Sequence, residues 1–182
     1  GVIYLGKRGF EHLESSGLTT LIPGEDMYDL ATIPIQEDML EKVGIEAVPE
    51  SLWSIRGDHP EGFHCAIGYP VSKNKHGKAI NVGAKEIRSN LFTVLSYRAD
   101  VNYAKYGRNP DDHFALHYHE AVDRNLDRTK PISLRGFSGA PVWFTHDRYA
   151  AGRPRLAGLL THHIASAKAV FCTRLACVIQ FL

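Results

Sequence analysis

Cysteine is scarce in this chain: Cys65, Cys172 and Cys177 are the only three in 182 residues. So few, widely spaced and odd in number, they exclude a disulfide-stapled scaffold, leave room for a single bridge, and point to a reducing compartment such as the cytoplasm. No apolar run approaches the length of a membrane-spanning helix, and no charged-then-apolar leader opens the sequence. A surplus of one charge is missing too. Lys and Arg number 21 against 20 Asp and Glu, a formal net charge of +1, which argues against nucleic acid or an anionic membrane surface as partner. There is no internal repeat and no low-complexity tract. His113, His117 and His119 lie close together, but no cysteine or fourth ligand stands with them, so neither a metal nor another cofactor is expected.

What remains is a chain of one-domain size, 44% apolar, made of short β-like runs punctuated by glycine and proline. The runs are 2–5, 18–22, 30–35, 65–68, 92–97, 114–118, 140–144, 156–161 and 170–172. Their regular spacing, without long helical periodicity, argues for an all-β sandwich or barrel. Residues 36–43 suit a short helical turn. The stretch 46–62, rich in proline, glycine and charge, reads as a connection between two halves. Residues 73–78 suit a solvated hairpin tip, and 97–130 is long and polar enough to hold an insertion.

The chemistry concentrates in Leu134-Arg135-Gly136-Phe137-Ser138-Gly139-Ala140-Pro141-Val142, followed by the apolar run from Leu156 to Thr161. A serine between two glycines, then Pro-Val, describes a tight loop that presents a hydroxyl before the chain enters a strand. Gly136 and Gly139 admit backbone conformations that side chains forbid. The same spacing lets the Gly136 and Ser138 amides point at one small volume, as an oxyanion hole requires. A Gly-Ser turn of an ordinary β-protein is the plainer alternative.

This nonapeptide resembles the nucleophile loop of trypsin-like (chymotrypsin-fold) serine proteases, and Cys65-Ala66-Ile67-Gly68-Tyr69-Pro70 resembles the opening of the second barrel in bacterial members. The resemblance implies two antiparallel β-barrels of the chymotrypsin type, the first incomplete, and a terminal helix over 173–182. Residues 1–45 would belong to the first barrel, 46–62 to the connection and 63–182 to the second barrel, with an insertion around 97–130. It implies a serine endopeptidase acting on a protein or peptide substrate, with Ser138 as nucleophile and the Gly136 and Ser138 amides as oxyanion hole. Tyr28-Asp29-Leu30-Ala31-Thr32-Ile33-Pro34-Ile35 resembles the segment that carries the catalytic Asp, which makes Asp29 the orienting carboxylate and Asp26 a less well-placed competitor.

The histidine motif is where the resemblance breaks. His12 is the only histidine before Asp29, and no apolar strand with a Thr-Ala-Ala-type turn precedes it. The expectation is that the chain begins after the catalytic His, as a fragment or processed product of a larger, multidomain parent, and by itself cleaves peptides poorly. By the same resemblance the pocket floor falls at Ile132, which argues against an Asp-floored pocket for Lys or Arg. Arg135 borders the cleft and favours acidic groups there, although an exposed arginine is the simpler account. Thr161, His162 and His163 lie on and after the cleft-lining strand, His163 as a wall and His162 equally as a core or capping residue. Phe137 stands where trypsin-type zymogens keep an Asp, so charge-paired activation by a new amino terminus is excluded.

Two rivals differ in kind. An α/β-hydrolase needs a final glycine where Ala140 stands and a strand before, a helix after, its serine. A trypsin-like fold without its base is a binding or scaffold module, since function belongs to the site rather than the fold.

Overall fold

The computed structural model describes residues 2–6, 9–13, 19–20, 31–32, 46–55, 62–70, 92–118, 121–123, 127–129, 133–145 and 153–180. Its strands are mostly antiparallel neighbours in one large sheet. Strands β5 (Phe63–Gly68), β6 (Phe92–Ser96), β7 (His113–His117), β8 (Ala121–Asp123), β9 (Arg128–Thr129), β10 (Pro141–Thr145), β11 (Arg155–Ile164) and β12 (Ala169–Arg174) form an eight-stranded sheet in the order β7-β12-β11-β10-β5-β6-β8-β9. A six-residue helix, α1 (Leu175–Gln180), follows β12. Nearer the amino terminus, β1 (Val2–Gly6) pairs with β2 (Gly9–Leu13), and β3 (Thr19–Thr20) with β4 (Ala31–Thr32), as separate two-stranded hairpins.

The large sheet curls until its β7 edge meets the chain just past β6. β8 covers the edge of β6 only at Phe92 and Thr93. Just past β6 the chain turns to β7 instead: Arg98 bridges Leu116, the Ala99 amide donates to the Ala115 carbonyl at 2.8 Å, and the His117 amide to the Tyr97 carbonyl at 3.0 Å. The Ser96 hydroxyl donates to the His117 carbonyl across the same seam. Backbone pairing therefore runs from β7 through β12, β11, β10, β5 and β6 back to β7, a barrel-like arrangement.

Alternation puts one face of each strand inside. β5 buries His64, Ala66 and Gly68, and β10 buries Val142 and Phe144. Ala66, Val142 and Phe144 join Val94, Phe114, Leu116, Phe137, Leu160, Val170 and Cys172 in one core. Full burial of each large apolar side chain contributes roughly 1.5–3 kcal/mol. β12 breaks the alternation, with every residue from Ala169 to Thr173 buried. Its inner face joins the core. Its outer face, with Phe171, packs under the 100–112 loop, where a 3-10 turn at Tyr103–Tyr106 lays two tyrosine rings against Phe171 at centroid distances of 5.6 and 5.7 Å. A strand covered on both sides needs no polar alternation.

Two features of β11 matter below. At its start, Trp53 of the connecting segment forms a parallel bridge with Leu156, and the Ser54 amide donates to the Leu156 carbonyl at 2.9 Å. Near its far end the pairing with β12 shifts: Leu160 faces Cys172 but His162 faces Phe171, so Thr161 is an extra, bulged residue. The buried Thr161 hydroxyl donates to the Phe171 carbonyl at 3.2 Å, pinning the bulge.

The chain is thus mostly β. The described residues comprise one barrel-like body and two small hairpins. The helical turn expected at 36–43 and the hairpin tip at 73–78 lie outside the described residues. Between β6 and β10 the chain holds the 3-10 turn, β7 and the β8–β9 hairpin.

Candidate active site

Two consecutive tight turns build the loop before β10. The Phe137 amide donates to the Leu134 carbonyl at 2.8 Å, and the Ala140 amide to the Phe137 carbonyl at 2.9 Å. Each turn therefore spans four residues, 134–137 and then 137–140, with glycine at its third position. Gly136 has φ of 89° and Gly139 of 84°. Positive φ at that position is the requirement of a type II turn, which explains the glycines at this spacing. A Cβ on Gly139 would meet nothing within 4 Å, so conformation rather than crowding calls for glycine there.

Side chains finish the work. Phe137 is completely buried in the core, against Gly68 of β5, whereas Ser138 is exposed at the tip. The loop is clamped to β11 by reciprocal bonds: the Gly139 amide to the Leu160 carbonyl at 2.8 Å and the Leu160 amide to the Ala140 carbonyl at 2.9 Å. The second position of the 137–140 turn and the third of the 134–137 turn have amides that a β-turn does not use. Those are the amides of Ser138 and Gly136, and among the described residues neither donates to a protein acceptor.

β11 continues past this clamp. β10 covers one edge of it from Arg155 to Leu159, and no described strand continues that cover beyond Leu160. The histidine pair lies within the strand, not after it, held by pairing of His162 with Phe171 and His163 with Val170. Cross-strand partners share a face. His162 is therefore on the outer face, where the Arg108 guanidinium approaches its Nδ1 at 2.9 Å. His163 is on the inner face at the barrel mouth, edge-on to the Tyr118 ring at 5.1 Å. Partial burial there pushes the His163 imidazole below its ordinary pKa of 6.5, so it is neutral at pH 7.

The remaining candidates divide. Arg135 is exposed within the first turn, and Thr161 is the buried bulge residue. Asp29, Asp26 and Ile132 lie outside the described residues. His12 is on β2, opposite Ile3. Among the described residues no histidine is hydrogen-bonded to Ser138. His113 is fully buried with its Nδ1 3.2 Å from the Asn109 carbonyl, His117 is exposed, and His119 lies outside the described residues. No group of three or more His, Cys, Asp or Glu among the described residues is arranged to hold a metal ion.

All three cysteines are free thiols. Burial pushes Cys65 up to about 11, and burial with the neighbouring Asp112 carboxylate does the same to Cys177, also to about 11. Cys172 is raised by burial, with Arg98 opposing. Thiolate is scarce in all three at neutral pH, so none is an activated nucleophile. Sequence reading missed Arg108 and Tyr118 as neighbours of the histidine pair. Both arrive from distant segments, and no local motif marks them.

No family model, curated protein or solved structure matches this chain.

Proposed function

We propose that the 134–140 loop is the nucleophile loop of a serine endopeptidase of the trypsin-like kind. The observation that carries this reading is the double turn, which exposes Ser138 while the Gly136 and Ser138 amides have no acceptor among the described residues. In the proposed reaction, Ser138 Oγ attacks a peptide carbonyl while a histidine takes its proton, and Asp29 orients that histidine. The two amides hold the developing oxyanion. A donor of this kind is worth on the order of 100-fold to 1000-fold in turnover.

Among the described residues no strand continues the cover of the β11 edge beyond Leu160, which supports the same reading. An extended peptide laid along it gains main-chain hydrogen bonds beside the serine, and Ser138 stands next to the clamp where that edge begins. The finer architecture, two chymotrypsin-type barrels with 1–45 in the first, belongs to this proposal.

The test is covalent labelling by a fluorophosphonate probe in the protein that carries the complete triad. Ser138→Ala abolishes labelling if the reading is right. Undiminished labelling places the reactive serine elsewhere. A wild-type protein that is never labelled yet binds peptides supports the non-catalytic binding module instead.

A further inference from the structure

Four large apolar side chains stand exposed among the described residues: Ile55, Tyr69, Leu95 and Tyr97. Leu95 and Tyr97 lie on and just past β6, and Ile55 lies in the segment that bridges the start of β11. Of the four, Tyr69 adjoins the Ser138 loop. The alternation of β5 runs on past its last residue and turns Tyr69 to the outer face, where it is 52% exposed. The antiparallel register of β5 with β10, carried on from the Ala66–Val142 pair, sets Gly68 opposite Ala140 and Tyr69 opposite Gly139. Packing agrees: a Cβ on Gly68 would lie 3.1 Å from the Ala140 Cβ and 3.2 Å from the Phe137 ring. β5 thus closes on the residues to either side of Ser138, and the next residue out is the tyrosine. Tyr97, Tyr103, Tyr106 and Tyr118 each set their ring against another ring, whereas Tyr69 has no such contact among the described residues.

β11 and β5 flank the loop from opposite sides, because β10 lies between them in the sheet. A peptide paired with β11 beyond Leu160 meets Ser138 with one part of its length, and Tyr69 stands across the loop from that part. We infer that Tyr69 is a binding platform for an aromatic side chain of the substrate, carried on the part of the peptide that runs past Ser138 and away from β11. Aromatic rings in offset-stacked or edge-to-face geometry gain contact energy beyond the area they bury. A tyrosine offers that surface at a low cost in side-chain freedom, which suits it to the recognition of peptides and proteins. This deepens the reading of Ser138 as a peptide-cleaving centre and rests on it.

The experiment uses the Ser138→Ala chain and fluorescein-labelled extended peptides in Phe/Ala pairs, with the Phe scanned along the peptide and binding read by fluorescence polarisation. The expected result is one position at which Phe binds about fivefold more tightly than Ala. Adding Tyr69→Ala brings that ratio close to 1, while Tyr69→Phe, which keeps the ring, retains it. Tyr97→Ala serves as the control. That side chain is equally exposed, but it packs on Phe63 at the other end of β5, roughly 17 Å along the strand from Gly68, and its loss leaves the ratio in place. Equal binding of Phe and Ala peptides at every position overturns the inference. So does a preference that survives Tyr69→Ala at every position, one lost in Tyr69→Phe, or one lost equally in Tyr97→Ala. Fluorophosphonate labelling of unmutated Ser138, measured in parallel in the protein with the complete triad, reports on the catalytic reading separately. Labelling without a Tyr69-dependent preference removes only the platform, and the preference without labelling removes only the catalysis.

Discussion

The 134–140 loop and the 100–112 loop both reach the far half of β11, and they are shaped by different forces. The first is set by its own backbone: two turns, two left-handed glycines and one buried phenylalanine. The second is set by side chains that reach across the chain. Asn109 accepts from the Asp111 amide at 3.0 Å and donates to the Asp112 carboxylate at 3.1 Å. Arg174 donates to the Pro110 carbonyl at 3.0 Å, and the Cys177 thiol reaches Asp112 Oδ1 at 3.4 Å. A loop held by local conformation keeps its shape through changes in its surroundings. A loop held by distant partners reports on them.

The largest effect should come from the anchor of the first loop. Phe137→Ala removes a completely buried ring and is expected to cost roughly 3–5 kcal/mol in urea denaturation. Ser138→Ala, one residue on and exposed, should stay within about 0.5 kcal/mol. A small loss at Phe137 would show that the backbone alone carries the loop.

Gly139→Ala comes next. With open space around the added methyl, its cost is the left-handed conformation alone, roughly 1–2 kcal/mol. Gly107, with φ of 64° and equally open space, permits the same measurement on the second loop. Asparagine tolerates this region better than alanine. Gly107→Asn should therefore be milder than Gly107→Ala, and equal costs would point to a contact rather than a conformation.

Asn109→Ala sharpens the contrast further. Loss of its two bonds should cost about 1 kcal/mol. Amide hydrogen exchange should speed up through 100–112 and stay unchanged at 134–140. Faster exchange in both loops would mean that they are one unit.

The smallest effect is a pH dependence at His163. Its folded pKa is below the ordinary 6.5, so between the two values the unfolded chain holds more protons. Stability should fall as pH drops through about 6.5 and level off below the folded pKa. His163→Gln should flatten that step, measured as the difference in urea midpoint between pH 7.5 and 5. A step of unchanged size in the variant would assign it to another group.

The same contrast explains what the sequence could disclose. The Ser138 loop was legible because its determinants are local: glycine at the third position of each turn and an apolar residue facing the core. Strands β5, β6, β7, β10 and β12 were legible from apolar runs near their observed bounds. β2, β8 and β9 were not, because Gly9–Leu13, Ala121–Asp123 and Arg128–Thr129 carry too few apolar residues to stand out. The end of β11 was misplaced because His162-His163 reads as polar, while pairing with Phe171 and Val170 keeps it extended. Arg108 beside His162 was invisible for a related reason, since 54 residues separate them and the pairing of β7, β12 and β11 brings them together. Asp29 and Ile132 lie outside the described residues, so their placement remains an expectation of the resemblance.

The bulge at Thr161 settles a question of parity. Leu160 faces inward opposite Cys172, and simple alternation would next turn residue 161 outward, His162 inward and His163 outward. One extra residue inverts that sequence. It hands the outer face, with its cation, to His162 and the barrel mouth, with its tyrosine, to His163. Two identical side chains, adjacent in the chain, thereby acquire different neighbours without any change in either. Deleting Thr161 would leave both addresses unchanged, whereas drawing it into the ladder opposite Phe171 would exchange them: the faces of this strand are set by whether one residue is counted in the pairing or left out of it.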